Sequence, residues 1–246
     1  MIQDEIRIPT AAGNPLFFVH RPDGDGPWPG VIMLTDIGGI RQAYHDSARR
    51  LASEGYVVLL PNVFYRTSEP PVIVRKPGVF DDAFWKRFKE LTEPLTPEAI
   101  ESDAAAYVGA LTRHSAVRPG PVAVVGFCYT GGVAMRVAAA QPERVAAAAS
   151  FHGGGLYTDS PTSPHLLLPR IRARLYFGHA VKDNSMPEEA IRKFEAALAA
   201  WGGQYQSETY EGAYHSWTAL DSPVYNQPQA ERAFGKLTEL FATTLR

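Results

Sequence analysis

The chain is poor in the features that make crosslinks, metal cages and membrane spans. Its 246 residues include one cysteine, Cys128, so no internal disulfide can form and a Cys-rich zinc site is excluded. No His-x-x-x-His pair occurs either, which argues against a catalytic zinc. No apolar run nears the roughly 20 residues that a membrane helix needs. The start, Met1-Ile2-Gln3-Asp4-Glu5, is acidic where a signal peptide is basic and then apolar. Neither sign of charge prevails: 24 Lys and Arg face 26 Asp and Glu, with no long block of either. The electrostatic footprint of a nucleic-acid or membrane-surface binder is missing. A cytoplasmic protein with a small-molecule partner is the expectation.

What remains is ample core material. Residues are 45% hydrophobic and 20% charged, and 246 of them suit one large sheet in a single domain spanning 1–246. Alternating apolar positions over 2–8 and 16–20, separated by Ala12-Gly13-Asn14-Pro15, predict an antiparallel hairpin. From Val31-Ile32-Met33-Leu34 onward, short apolar runs at 56–60, 122–126, 145–151, 174–178 and 205–210 read as strands. Helical stretches at 42–54, 97–114, 131–140, 187–201 and 227–244 alternate with them. That alternation predicts an α/β fold, a doubly wound and mainly parallel sheet of about eight strands with helices on both faces. Residues 62–97 break the rhythm with Phe64, Tyr65, Phe80, Phe84, Trp85 and Phe88 among several prolines. Two readings stand there: a lid or pocket wall, and a peripheral helix near 80–91 that covers the core.

The stretch richest in chemistry is Val122-Ala123-Val124-Val125-Gly126-Phe127-Cys128-Tyr129-Thr130-Gly131-Gly132. An apolar strand turns through glycine, presents a nucleophilic side chain and leaves through small residues into an Ala-rich helix, which is the pattern of a nucleophile elbow. A helix N-terminus favours the thiolate, and the N–H of Tyr129 is placed to stabilise an oxyanion. A lone Cys128 would read as a small buried packing residue; its strand, glycines and helix favour the nucleophile. In such folds an acid and then a histidine follow, each on a loop after a later strand. Asp183 fits the acid, with helix capping as its alternative role, and His215 fits the base on the loop after the last strand. His152 ends a strand at Phe151-His152-Gly153 and is a candidate for the pocket, whereas His20, His45 and His114 read as surface or packing residues.

Gly126-Phe127-Cys128, Asp183 before Met186-Pro187, and Gly212-Ala213-Tyr214-His215-Ser216-Trp217 together resemble the dienelactone hydrolase family over nearly the whole chain. The resemblance implies a Cys128-His215-Asp183 triad, no cofactor, and hydrolysis of lactones or activated esters through an acyl-enzyme. It also implies that Leu34-Thr35-Asp36-Ile37-Gly38-Gly39 supplies an auxiliary carboxylate, Asp36, and a second oxyanion N–H, that of Ile37. Asp36 stands where the family usually has glutamate, and a helix-capping role near Gly39 is its alternative. Thr130 stands where glycine is usual. The best-known enzyme of the family binds a substrate carboxylate through arginines, one of them just after the catalytic histidine. Here that stretch reads Trp217-Thr218-Ala219-Leu220, leaving Arg66 or Arg75 as candidate replacements beside the pocket candidates Tyr65 and Trp217. The rival functions are a thioesterase or peptidase-like hydrolase with the same triad, and a non-catalytic binding or redox-sensing protein with an accessible thiol.

Overall fold

A computed structural model of the chain describes residues 1–73 and 79–245. Arg75 and part of the 62–97 excursion lie outside the described residues. Eight strands form one sheet in the order β1-β2-β4-β3-β5-β6-β7-β8. The first two, β1 (Ile2–Arg7) and β2 (Leu16–Arg21), make the expected antiparallel hairpin, and β2 runs antiparallel to β4 (Val57–Pro61). The rest of the sheet is parallel: β4, β3 (Gly30–Met33), β5 (Val122–Phe127), β6 (Val145–Phe151), β7 (Arg174–His179) and β8 (Tyr205–Thr209).

Strands buried on both faces explain the continuous apolar runs. Val31 and Met33 point into one core and Ile32 and Leu34 into the other, and Val122 and Val124 alternate in the same way with Ala123 and Val125. One face is covered by α1 (Gln42–Ser53) and α6 (Gln227–Thr244). The other carries α2 (Asp82–Thr92), α3 (Pro97–Arg113), α4 (Thr130–Ala140) and α5 (Glu188–Trp201). Helix starts follow local chemistry: the Thr96 and Asp81 side chains accept from the N–H groups of Ala99 and Phe84, and Pro97 occupies the first turn of α3. Among the described residues no helix is long and apolar enough to cross a membrane.

After β3 the chain crosses by α1 to β4 on one side, then returns by α3 to β5 on the other. The carboxyl ends of β3 and β5 therefore flank the switch point of the sheet, where a crevice opens in such folds. The loops carrying Asp36 and Cys128 leave from these two ends.

Arg66 and Tyr65 belong to the scaffold, contrary to the pocket role expected of them. Asp103 on α3 is 2% exposed and accepts from Tyr65 Oη at 2.8 Å and from Arg66 Nη1 and Nη2 at 2.5 and 2.9 Å. A buried carboxylate recruits such donors because it is costly when unpaired. Arg66→Ala should therefore cost on the order of 3 kcal/mol in urea denaturation, and a loss below about 1 kcal/mol would show that Asp103 does not depend on it.

Candidate active site

The turn after β5 places Cys128 at φ 57°, a left-handed conformation rare outside glycine. Its neighbours make the turn tight enough to hold that strain. A Cβ on Gly126 would run into the carbonyl of Thr130, and one on Gly131 would meet the Ser150 hydroxyl. Thr130, the departure from glycine, braces the turn: its Oγ1 accepts from the Phe127 N–H at 2.9 Å and lies 3.0 Å from the Phe127 carbonyl, to which it donates. The fully buried hydroxyl thus closes the elbow on both backbone groups of Phe127.

Cys128 is partly buried, and its Sγ lies 3.0 Å from His215 Nε2. His215 Nδ1 lies 2.6 Å from Asp183 Oδ2. The other carboxylate oxygen of Asp183 accepts from the Ser185 N–H at 2.8 Å and from the Ser185 hydroxyl at 2.6 Å. Thus Asp183 serves His215, and none of Asp183, Asn184 or Ser185 caps α5, whose N-cap is Pro187 without a side-chain bond. Burial raises the Asp183 carboxyl, but its bonds to His215 and Ser185 outweigh this and hold its pKa below the usual range. For His215, burial disfavours the imidazolium, yet bonds and charge from Asp183 and Cys128 prevail and push its pKa up to about 10.

His152 does not line the pocket. It is 1% exposed behind the elbow, where Nδ1 accepts from the Cys128 N–H at 3.1 Å, leaving Nε2–H to donate to Thr218 Oγ1 at 2.8 Å. Burial first, and then the neighbouring His215, depress its pKa well below the usual value, so it stays neutral. Trp217 is also fully buried, stacked on Tyr210 with ring centroids 5.0 Å apart, and forms a floor beneath the His215 loop. His20, read as surface or packing, is completely buried and pairs with His45 at 3.1 Å, away from this site.

Asp36 does not touch the thiol. Its Oδ1 accepts from the Gly38 N–H at 2.8 Å and from Arg41 Nη1 at 2.7 Å, and its Oδ2 accepts from Arg41 Nη2 at 2.8 Å. The helix-capping alternative also fails, since α1 starts at Gln42 with Arg41 as an unassisted N-cap. Arg41 further reaches Asp221 through Nε at 2.6 Å and Nη2 at 3.1 Å, tying the loop after β3 to the segment after His215. Residue pattern alone did not single out Arg41, Asp221, Ser185 or Thr218; only the fold brings them to the elbow.

Cys128, His215, Asp183, Ile37 and Tyr129 all border a cavity of about 1020 Å³. Among the described residues, no acceptor takes the backbone N–H of Ile37 or Tyr129, whereas that of Cys128 is already used by Phe151 O and His152. Part of the 62–97 excursion forms one wall through Ile73, Phe80, Phe84, Trp85 and Phe88, while Phe84 and Leu91 of the same helix also pack into the core. The pocket-wall and core-cover readings therefore both describe α2.

A sequence model of the dienelactone hydrolase family matches residues 17–245. The chain belongs to this family. Reaction class follows from membership: this is a carboxylic ester hydrolase. The carboxymethylenebutenolidase of Rhodococcus opacus is 29% identical over 226 residues, covering 91% of this chain and 83% of its own length. A Synechocystis protein provisionally named a carboxymethylenebutenolidase is 28% identical, over 93% of this chain and 92% of its own. The crystal structure of a Klebsiella pneumoniae protein provisionally named a dienelactone hydrolase superposes with a TM-score of 0.87 at 25% identity, covering 98% of each chain.

The two shifted groups set a pH dependence. His215, with its pKa raised, contributes stability that is full below its unfolded value of about 6.5 and is lost as pH rises toward 10. Asp183, with its pKa lowered, contributes stability that is full above about 3.8 and is lost as pH falls through its folded value. The stability difference between wild type and His215→Gln in urea denaturation should thus peak between about pH 4 and 6.5 and shrink on either side.

Proposed function

We propose that the protein hydrolyses a lactone or activated carboxylic ester by nucleophilic attack of Cys128, through a thioester acyl-enzyme. The observation that carries this reading is the unbroken chain from Cys128 Sγ through His215 to Asp183, at 3.0 and 2.6 Å, set at a positive-φ elbow on a large cavity. The thiolate, paired with the His215 imidazolium, attacks the carbonyl carbon. The N–H groups of Ile37 and Tyr129, which border the cavity and have no acceptor among the described residues, receive the oxyanion. As the intermediate collapses, the C–O bond breaks and His215 gives its proton to the leaving alkoxide. His215 then takes a proton from water, the hydroxide attacks the thioester, and the acid departs as the Cys128 thiolate and His215 imidazolium re-form. Asp183, locked by Ser185, holds the imidazole tautomer throughout.

Asp36 acts in this scheme as a brace. Through Arg41 it fixes the loop that carries the Ile37 N–H, and so acts on the reaction at second hand.

Cys128→Ala should reduce hydrolysis of 4-nitrophenyl acetate to the buffer rate, and Asp183→Asn should lower kcat by roughly 10³-fold or more, as loss of the correct tautomer does elsewhere. Turnover that survives Cys128→Ala would exclude the scheme. Arg41→Gln should lower kcat by roughly 10- to 100-fold with a smaller change in KM, the signature of a misplaced oxyanion donor; an unchanged kcat would remove the bracing role of Arg41.

A further inference from the structure

We infer that the site takes a neutral ester carrying a bulky apolar group, aromatic or long-chain, in preference to a compact anionic one; this rests on the reading of Cys128 as nucleophile. Three observations converge. First, a cavity of about 1020 Å³ is at the upper end of the range that holds drug-sized ligands, far more than a single small ring occupies. Second, its wall is a continuous aromatic series that begins one residue from the nucleophile. Tyr129 meets the edge of Phe88 at 5.8 Å between centroids, Phe88 meets Trp85 at 5.7 Å, and Trp85 meets Phe84 at 5.1 Å. Trp85 borders the cavity yet is 55% exposed, an apolar surface that a bound apolar group would cover.

Third, the described lining offers no net positive charge to an anion. Arg41, Arg136 and Lys182 are matched by Asp36, Asp183 and Asp221, and in the proposed resting pair the His215 imidazolium is matched by the Cys128 thiolate. Both faces of the Arg41 guanidinium fork are occupied by Asp36 and Asp221. Arg136 donates to the Thr162 carbonyl at 2.9 Å and lies 3.5 Å from Glu101. Lys182 is exposed, where water screens its charge. Among the described lining residues, an anionic substrate gains a strong partner only by displacing a carboxylate from Arg41 or by engaging the solvent-screened Lys182, whereas an apolar group meets a surface already shaped for it.

The test is kcat/KM of the full-length protein on two ester series and one matched pair. The first series is 4-nitrophenyl esters from acetate to octanoate; the second is acetates of phenol and 2-naphthol, leaving groups of similar acidity. We expect a rise along at least one series, by up to roughly fourfold per buried methylene in the first. We expect 4-nitrophenyl hexanoate to exceed its analogue with a carboxylate in place of the terminal methyl by at least tenfold. Trp85→Ala should lower the ratio of long to short ester more than Trp85→Phe does, and circular dichroism checks that both variants fold. Flat or falling values along both series, or preference for the carboxylate analogue, would overturn the inference. Hydrolysis of acetate without such discrimination refutes this inference alone, whereas failure to hydrolyse any ester refutes the nucleophile assignment beneath it.

Discussion

Cys128 sits at φ 57°, a conformation that side chains resist, and the surrounding structure is arranged so that it has no alternative. Gly126 and Gly131 remove the side chains that would open the turn, and the Thr130 hydroxyl bridges the two backbone groups of Phe127. On the far side, neutral His152 accepts the Cys128 N–H. Strand β5 lies in the interior of the sheet, hydrogen-bonded to β3 and β6, so the strained turn is anchored on a strand paired on both sides. The sulfur therefore emerges above the sheet edge, next to the N-terminus of α4 and within reach of the loops after β3, β7 and β8.

Electrostatics complete what the backbone begins. The His215 imidazolium is favoured because Asp183 and Cys128 flank it, and the cost of its burial is outweighed by those bonds. Its neighbour His152 lies 5.2 Å away ring to ring and stays neutral, so the two rings do not compete for positive charge. A second ionic cluster, Asp36, Arg41 and Asp221, holds the facing loop but remains apart from the thiol. In the proposed scheme the labour is divided: one carboxylate orients the base, and another shapes the wall opposite it.

Much of this was legible in the residues because burial on both sheet faces leaves an unmistakable run such as Val122-Ala123-Val124-Val125. The juxtaposition of the elbow, Asp183 and His215 was legible because all three lie on loops after strands at one edge of the sheet, an order that survives in sequence. Contacts made by surface-looking polar residues were not. Nothing in Arg41 or Asp221, 180 positions apart, foretells their pairing, and Asp36 looked like a partner for the thiol until Arg41 took both its oxygens. Tyr65 and Arg66 looked like pocket residues beside Phe64, but buried Asp103 claims both. His152 and Trp217 were drawn to the right place in the chain and the wrong depth, because strand ends and loop aromatics give no sign of which way a side chain turns.

The account stands or falls on a covalent bond to Cys128. Brief mixing with 4-nitrophenyl acetate, acid quench and peptide mass spectrometry would test it directly. A mass gain of one acetyl group on the peptide containing Cys128, formed within the first turnover and absent from Cys128→Ala, is the predicted result. Turnover with no adduct at Cys128 when the burst is sampled, or an acetyl group carried by a serine or threonine instead, would contradict it.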